Sequence, residues 1–137
     1  MKKSVVILIA LIYVASIAIV GFLGLQAKSY NDVVYAESIE ILTDYSIDKN
    51  TGSKFIVFDS NASENKSIKL DCRVRPYNAT DTKVIYSLSN DCTNAAIDEN
   101  GLLTFIGDTN RVFSVKVYIY SNQNRTVSDE ILIYYVP

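Results

Sequence analysis

Residues 67–75 read SIKLDCRVR, a stretch in which apolar and charged side chains alternate. Apolar side chains occupy every second position in it, namely Ile68, Leu70, Cys72 and Val74. Charged side chains fill the positions between them, namely Lys69, Asp71, Arg73 and Arg75. Successive side chains of a β-strand point to opposite faces, so this period of two predicts a strand with one buried and one solvated face. Pro76 ends the strand because proline cannot donate a ladder hydrogen bond.

The same period of two recurs on both sides of this strand, with turn residues at intervals of roughly 8–12 residues. It predicts further strands at Ser38–Leu42, Lys54–Phe58, Lys83–Ser89, Ala95–Asp98, Leu102–Phe105, Arg111–Ser121 and Ser128–Tyr135. Asn100-Gly101 predicts a tight hairpin, because this dipeptide readily adopts positive φ angles. No segment after residue 37 keeps the 3.6-residue period of a helix. The pattern therefore predicts an all-β sandwich of about eight strands over residues 38–137.

The N-terminal segment has a different character. Val5–Leu25 reads VVILIALIYVASIAIVGFLGL and carries no charge, and a bilayer core needs about 20 apolar residues in a helix. Lys2 and Lys3 precede it, which favours a cytoplasmic N-terminus and an extracytoplasmic C-terminal domain. We therefore expect a cytoplasmic segment over residues 1–4, a transmembrane helix or signal-anchor over 5–25 and a juxtamembrane linker over 26–37.

A cleaved signal peptide is the alternative interpretation. Val34-Tyr35-Ala36 has the small-residue pattern of a cleavage site, although it lies far beyond the apolar run. Signal-peptide apolar regions are usually shorter than Val5–Leu25, which favours the uncleaved anchor. Both alternatives export the β domain, the first as a single-pass membrane protein and the second as a secreted one.

From Lys69 to Val136 the sequence resembles the bacterial immunoglobulin-like domains of group 2, which are related to the domains of intimin and invasin adhesins. The residues that carry this resemblance are Leu70, Val74, Pro76, Ala79-Thr80, Val84–Ser89 and Ala95–Thr104. Tyr86 stands where the family usually has tryptophan, and Ile106–Asn110 replaces its glycine-rich turn. The resemblance implies an immunoglobulin-like Greek-key sandwich with an adhesive or spacer role at the cell surface, and it implies no catalytic residue.

Composition argues against several functions. The formal net charge is −2, and Lys2 and Lys3 lie outside the exported part, so that part is mildly acidic and lacks the basic stripe that nucleic-acid binding requires. The chain has no histidine, the commonest general base and metal ligand. Several acidic and amide residues lie in turns, but without the spacing of a calcium loop: Asp91, Asp98, Glu99, Asn100 and Asp108. We predict no enzymatic activity, no metal and no cofactor.

Two cysteines, Cys72 and Cys92, are present. Export would place them in an oxidising compartment, where a single intramolecular disulfide is one alternative. Two free or separately buried thiols are the other alternative. Cys72 belongs to a predicted strand and Cys92 to a polar loop, so spacing alone leaves both open.

Ten tyrosines are present, several of them in the last two predicted strands. Tyrosine favours β-strands in general, which explains the cluster without any function. It is also enriched at protein interfaces, and alternation places some of these rings on the outer face. The residues of this candidate interaction face are Tyr118, Tyr120 and Tyr134.

These features together predict an extracytoplasmic immunoglobulin-like module, anchored by its N-terminal helix. We expect a structural role or binding to a protein or to a cell-wall carbohydrate at the bacterial surface. A secreted soluble binding protein, cleaved near Ala36, is the first alternative, and a small extracytoplasmic enzyme or inhibitor is the second.

Overall fold

The computed structural model of the protein describes residues 2–30, 32–107 and 109–137. Its first unit contains one α-helix, α1 (Lys3–Tyr30). Residues Lys3–Gly24 have a mean hydropathy of 2.9, and none of this segment is buried in the protein, so the helix is long and apolar enough to cross a membrane. The helix predicted over 5–25 is present and continues to Tyr30, into the segment predicted to be linker.

The second unit begins at Val34 and consists of β-strands. The strands are β1 (Ser38–Ile41), β2 (Ser46–Ile47), β3 (Lys54–Asp59), β4 (Ser67–Lys69), β5 (Cys72–Arg75), β6 (Val84–Leu88), β7 (Ala95–Ile97), β8 (Leu102–Phe105), β9 (Phe113–Ser121) and β10 (Ser128–Val136). They form a five-stranded sheet in the order β2-β3-β10-β9-β6, a three-stranded sheet in the order β4-β8-β7, and the pair β1-β5. The predicted all-β character of this part is confirmed.

Strand β10 is the third strand of the five-stranded sheet. It pairs antiparallel with β9 and parallel with β3, so that Ile133 lies opposite both Val115 and Ile56. The side chains of Ile133 and Val115 are buried, and so are those of Val117 and Ile119 along β9. One face of this sheet therefore forms the main wall of the core, as the alternation in Arg111–Ser121 predicts.

Aromatic rings fill one part of this core. The Tyr135 ring stacks on Phe113 with a centroid distance of 4.8 Å, and Phe105 also lies 4.8 Å from it. The Phe58 ring also stacks on Tyr135, with a centroid distance of 5.9 Å. Because these rings come from β3, β8, β9 and β10, they join the five-stranded and three-stranded sheets. Tyr135 is 1% exposed, so it belongs to the core while its neighbour Tyr134 faces outward.

The stretch 67–75 has the predicted in-and-out pattern but forms two short strands. Its N-terminal part, β4, pairs with β8, and its C-terminal part, β5, pairs with β1. The change of partner occurs at Leu70, whose N–H donates to the Gly101 carbonyl at 2.8 Å, and at Asp71, whose carbonyl accepts the Leu42 N–H at 2.7 Å. The chain stays extended while it passes from one partner to the next, which is why the alternation reads as one strand.

The segment predicted as linker is largely structured. Val34 N–H donates to Thr80 Oγ1 at 2.9 Å, and Ala36 N–H donates to Gln123 Oε1 at 2.8 Å. Glu37 N–H donates to the Arg75 carbonyl at 2.8 Å. Residues 34–37 thus belong to the β unit, and residues 26–30 belong to the helix. The linker is correspondingly shorter than the predicted 26–37, and Asn31 within it lies outside the described residues.

Candidate interaction face

The outer face of the five-stranded sheet carries the three tyrosines singled out by the sequence. Buried Val117 and Ile119 alternate with Tyr118 and Tyr120 along β9, so these two rings point away from the core. Tyr134 on β10 lies between the buried residues Ile133 and Tyr135 and also points outward. The sheet therefore places all three tyrosines on one face, as alternation predicts.

The three rings form two patches on this face. Tyr118 and Tyr120 stack with a centroid distance of 6.4 Å, and Lys116 Nζ lies 5.9 Å from the Tyr118 centroid. Tyr134 lies opposite Ser114, four residues before Tyr118 on β9. At about 3.4 Å per residue, this separation places Tyr134 about 14 Å from the tyrosine pair along the sheet. The structure thus assembles two separate aromatic patches.

A groove adjoins the Tyr134 patch. The Phe55 ring meets Tyr134 edge to face at a centroid distance of 5.9 Å, and Tyr134 remains 38% exposed. These rings, with Leu132 and Ile47, line a groove of about 570 Å³. Its volume falls in the range of about 300–1,000 Å³ that small-molecule sites occupy. An apolar floor with one exposed ring suits a ligand that offers a flat apolar surface.

The rim of this groove is the turn between β2 and β3. Asp48 accepts hydrogen bonds from the Asn50 N–H at 2.9 Å and from Thr51 Oγ1 at 3.0 Å. These bonds, with the backbone contribution of Asn50 the largest, lower the pKa of Asp48 from its usual value. The turn closes at Gly52, which has a φ angle of 71°. The rim therefore presents an ionised carboxylate, hydroxyls and the nearby Lys49 beside the aromatic floor.

Of the residues that line this groove, the sequence alone predicted only Tyr134. Phe55 and Leu132 lie opposite each other in the parallel pairing of β3 with β10. The sequence holds one signal for Leu132, because it lies two residues before Tyr134 in the same strand and therefore on the same face. Nothing in it indicates that β3 lies beside β10 or that the short β2 borders them.

A second polar and aromatic cluster lies on β1 and β5. Glu40 accepts from Arg75 Nη2 at 2.8 Å and from the Tyr77 hydroxyl at 3.2 Å. The Arg75 hydrogen bond is the main cause that lowers the pKa of Glu40. The guanidinium carbons of Arg75 and Arg73 lie 4.1 Å and 4.9 Å from the Tyr77 ring centroid. The charges of this cluster are partnered among themselves.

Cys72 and Cys92 are both free thiols, so the structure holds the second of the two alternatives left open by the sequence. Cys72 lies beside Val84 and Tyr86, near the beginning of β6, whereas Cys92 follows the end of that strand. Burial raises the pKa of the Cys72 thiol to about 11. A buried, protonated thiol is a poor nucleophile and a poor metal ligand.

One of the acidic turn residues, Asp98, binds backbone N–H groups. Asp98 accepts the N–H groups of Asn100 at 2.9 Å and Leu102 at 2.8 Å, which closes the hairpin between β7 and β8. Gly101 has a φ angle of 81°, and among the described residues only glycines have positive φ. The turn thus differs from the expected one, in which both Asn100 and Gly101 have positive φ. Asp108 lies outside the described residues. Within residues 2–30, 32–107 and 109–137, no group of three potential metal ligands comes together.

No protein-family model matches the chain, and no curated protein matches it. Among solved structures, the chain is similar to SGBP-B of the Bacteroides ovatus mixed-linkage glucan utilization locus, in complex with a mixed-linkage heptasaccharide, with 16% sequence identity and a TM-score of 0.44. The match covers 71% of this chain and 24% of that one, so the chain spans about a quarter of that protein's length.

Proposed function

We propose that this chain is a membrane-anchored immunoglobulin-like module with an interaction or structural role at the bacterial cell surface. The observation that carries the proposal is the outer face of the five-stranded sheet, where Tyr134 and Val57 remain 38% and 58% exposed beside the groove floored by Phe55. Contiguous exposed apolar surface commonly marks an interaction site.

The anchor is supported by the helix. It has no charged residue between Lys3 and Lys28, and its 28 residues extend about 42 Å at 1.5 Å per residue, which exceeds a hydrocarbon core of about 30 Å. Lys2 and Lys3 at its beginning favour a cytoplasmic N-terminus. The β unit then lies outside the cytoplasm, as we propose.

The strand order supports an immunoglobulin-like Greek-key sandwich. One layer would consist of β1, the extended chain of β4 and β5, β8 and β7, and the other of β2, β3, β10, β9 and β6. In immunoglobulin-like folds two antiparallel sheets face each other over a shared core, and here the core contains residues from all three sheets. Membership of the group 2 bacterial family is part of this proposal and rests on the sequence resemblance.

The partner that we propose is a protein or a carbohydrate. Aromatic rings at a surface contribute large contact area with little loss of conformational entropy, which suits either. The groove rim combines hydroxyls with one carboxylate and one ammonium group, Asp48 and Lys49, so its charges balance. A neutral ligand with hydroxyl groups and apolar faces fits this combination.

Cleavage near Ala36 is less well supported than the intact anchor. The Val34 carbonyl accepts the Thr80 N–H at 2.9 Å, and Ala36 is 4% exposed. Removal of residues up to 36 would therefore delete backbone hydrogen bonds and a buried methyl group from the β unit. The enzyme alternative gains no support from Cys72, because burial raises the pKa of its thiol to about 11 and keeps it protonated.

The test is a comparison of the wild-type chain with Tyr134→Ala, using Val112→Ala as the matched control. Val112 is 66% exposed and precedes β9, so its loss removes apolar surface away from the groove. Full-length protein in nanodiscs would be applied to a glycan array and, in cells, cross-linked to envelope proteins. We expect a partner that Tyr134→Ala loses and Val112→Ala retains. Partners that both variants retain equally, or none in either assay, would refute the proposal.

A further inference from the structure

Strand β6 is an edge of the five-stranded sheet, and its free side carries unsatisfied backbone groups. It pairs with β9 only, with Ile85 opposite Tyr120 and Ser87 opposite Tyr118. Asn122 N–H donates to the Lys83 carbonyl at 3.0 Å, and Ser89 N–H donates to the Lys116 carbonyl at 3.3 Å. These two bonds fix which residues of β6 face β9.

Hydrogen-bonded pairs alternate along an antiparallel ladder, so the odd-numbered residues of β6 bond to β9. The backbone N–H and C=O groups of Val84 and Tyr86, and the N–H of Leu88, then point away from it. Among the described residues, none of these groups has a backbone or side-chain partner. Natural edge strands are usually protected by charge, proline or a bulge. The sequence of β6, VIYSL, has neither a charge nor a proline.

An open groove runs beside the first half of this edge. It has a volume of about 460 Å³, and Val84 and Tyr86 line it together with Cys72. Its lining also includes two carboxylates, Asp71 and Glu99, which are in no ion pair within the described part of the chain.

One lysine, Lys83, also lines the groove, and Lys69 donates from Nζ to the Asn100 carbonyl. Against the single ammonium group of Lys83, the two carboxylates leave the groove lining with one net negative charge, which a cationic side chain would complement.

We propose that the β6 edge binds an extended peptide segment of a partner protein, which adds a strand to the five-stranded sheet and places a lysine or arginine side chain between Asp71 and Glu99. Backbone groups spaced at every second residue are satisfied best by another strand, and side chains of that strand point alternately into the groove. This site lies on a different edge from the Tyr134 groove and does not depend on the function proposed there. A second copy of β6 fits less well, because its residues Val84–Leu88 offer no cation to the two carboxylates.

Amide hydrogen exchange of the full chain in detergent micelles tests the free edge directly. We expect the amides of Val84 and Tyr86 to exchange much faster than those of Ile85 and Ser87, which are bonded to β9. Uniform protection along β6 would overturn the proposal. Protection of Val84 and Tyr86 that grows with protein concentration, together with a dimeric mass, would also overturn it in favour of a second copy.

Binding is tested with a fluorescent probe peptide of sequence acetyl-Thr-Val-Thr-Lys-Thr-Val-Thr-amide, added to the full chain in micelles. The matched probe has glutamate in place of lysine, and a third probe carries N-methyl groups on alternate peptide bonds. We expect saturable binding of the lysine probe and no binding of the N-methylated probe. The glutamate probe should bind roughly fivefold more weakly than the lysine probe, because screened charges contribute up to about 1 kcal/mol. Equal binding of the three probes, or none of the lysine probe at millimolar concentration, would overturn the proposal.

Two protein variants locate the site. Val84→Pro removes an outward-facing N–H at the first residue of an edge strand, where proline is tolerated, and should abolish binding. Glu99→Lys changes an exposed turn residue and should reverse the preference between the lysine and glutamate probes. Tyr134→Ala is the control and should bind the probes as the wild type does, which separates this site from the outer-face groove. Binding that neither Val84→Pro nor Glu99→Lys alters would overturn the assignment.

Discussion

Gly101 is the most closely packed of the glycines in the β unit, and replacing it with alanine tests the packing around the β7–β8 turn. A Cβ atom at Gly101 would lie 2.5 Å from the Leu70 carbonyl oxygen and 2.8 Å from Cζ of Tyr86. Cβ atoms essentially never approach backbone atoms that closely, so either the turn or residue 70 must move. The Leu70 N–H bond to the Gly101 carbonyl would be disturbed by the same movement.

The magnitude follows from two contributions. Gly101 has a φ angle of 81°, and a left-handed conformation costs an alanine about 1–2 kcal/mol. Overpacking against a backbone oxygen and an aromatic ring adds about 1–3 kcal/mol. We therefore expect Gly101→Ala to lower the free energy of unfolding by about 2–5 kcal/mol, a large share of the 5–15 kcal/mol typical of a domain.

Gly52→Ala is the matched control, since Gly52 has a φ angle of 71° but no atom within 4 Å of the added Cβ. It shares the conformational cost and lacks the close approach, so it should lower the free energy of unfolding by only about 1–2 kcal/mol. Urea unfolding of the full chain in micelles, followed by tyrosine fluorescence, measures both. Equal losses in the two variants would refute the reasoning, because the contact with Leu70 would then contribute nothing.

Three further predictions concern the anchor, the thiols and alkaline pH. Ala15→Arg places a charge at the middle of the apolar segment, which costs about 2.5–3.5 kcal/mol of membrane-insertion free energy. It should reduce the fraction of the protein that stays in the membrane after carbonate extraction, whereas Ala15→Leu should not. Without reductant, Cys72 and Cys92 should both be alkylated in the unfolded chain, and Cys72 should be protected from alkylation in the folded chain at pH 8. Intact mass measures the number of alkylated thiols. Alkylation that occurs only after reduction would contradict the free thiols. Burial raises the pKa of Cys72 to about 11 and raises that of Tyr86, so the folded state holds these protons more tightly than the unfolded state. The resulting stability is complete below about pH 9, the unfolded value for the thiol, and should be lost as pH rises from there towards 11. Urea midpoints that stay constant between pH 8 and 11 would refute this.

The alternation of apolar and polar residues predicted most strands, because every second side chain of a half-buried strand is buried and apolar. β9 and the 67–75 segment are of this kind, since their inward residues are apolar and their outward ones mostly polar. β2 was missed because two residues cannot show a period. The helix was located by its lack of charge, but its last turn was not, because Gln26, Lys28 and Ser29 are polar and this segment was therefore predicted to be a linker.

The candidate sites depend on pairing between segments far apart in the chain, and local pattern contains little of that information. Tyr134 was identified because alternation fixes its face. Phe55 was not, because its position beside Tyr134 requires the parallel pairing of β3 with β10. The separation of Cys72 from Cys92 likewise depends on β6, which places them near opposite ends of one strand.

The third position of β10 in the five-stranded sheet has a consequence for biogenesis. The parallel pairing of β3 with β10 joins residues 54–59 to residues 132–136, so the contact order of the sheet is high. This pairing cannot form until the segment around residue 136 is available. If the chain crosses the membrane as we propose, the β unit stays unfolded, and therefore competent for translocation, during most of its passage. Folding would then follow the emergence of β10 on the far side, where the newly completed sheet would prevent the domain from sliding back.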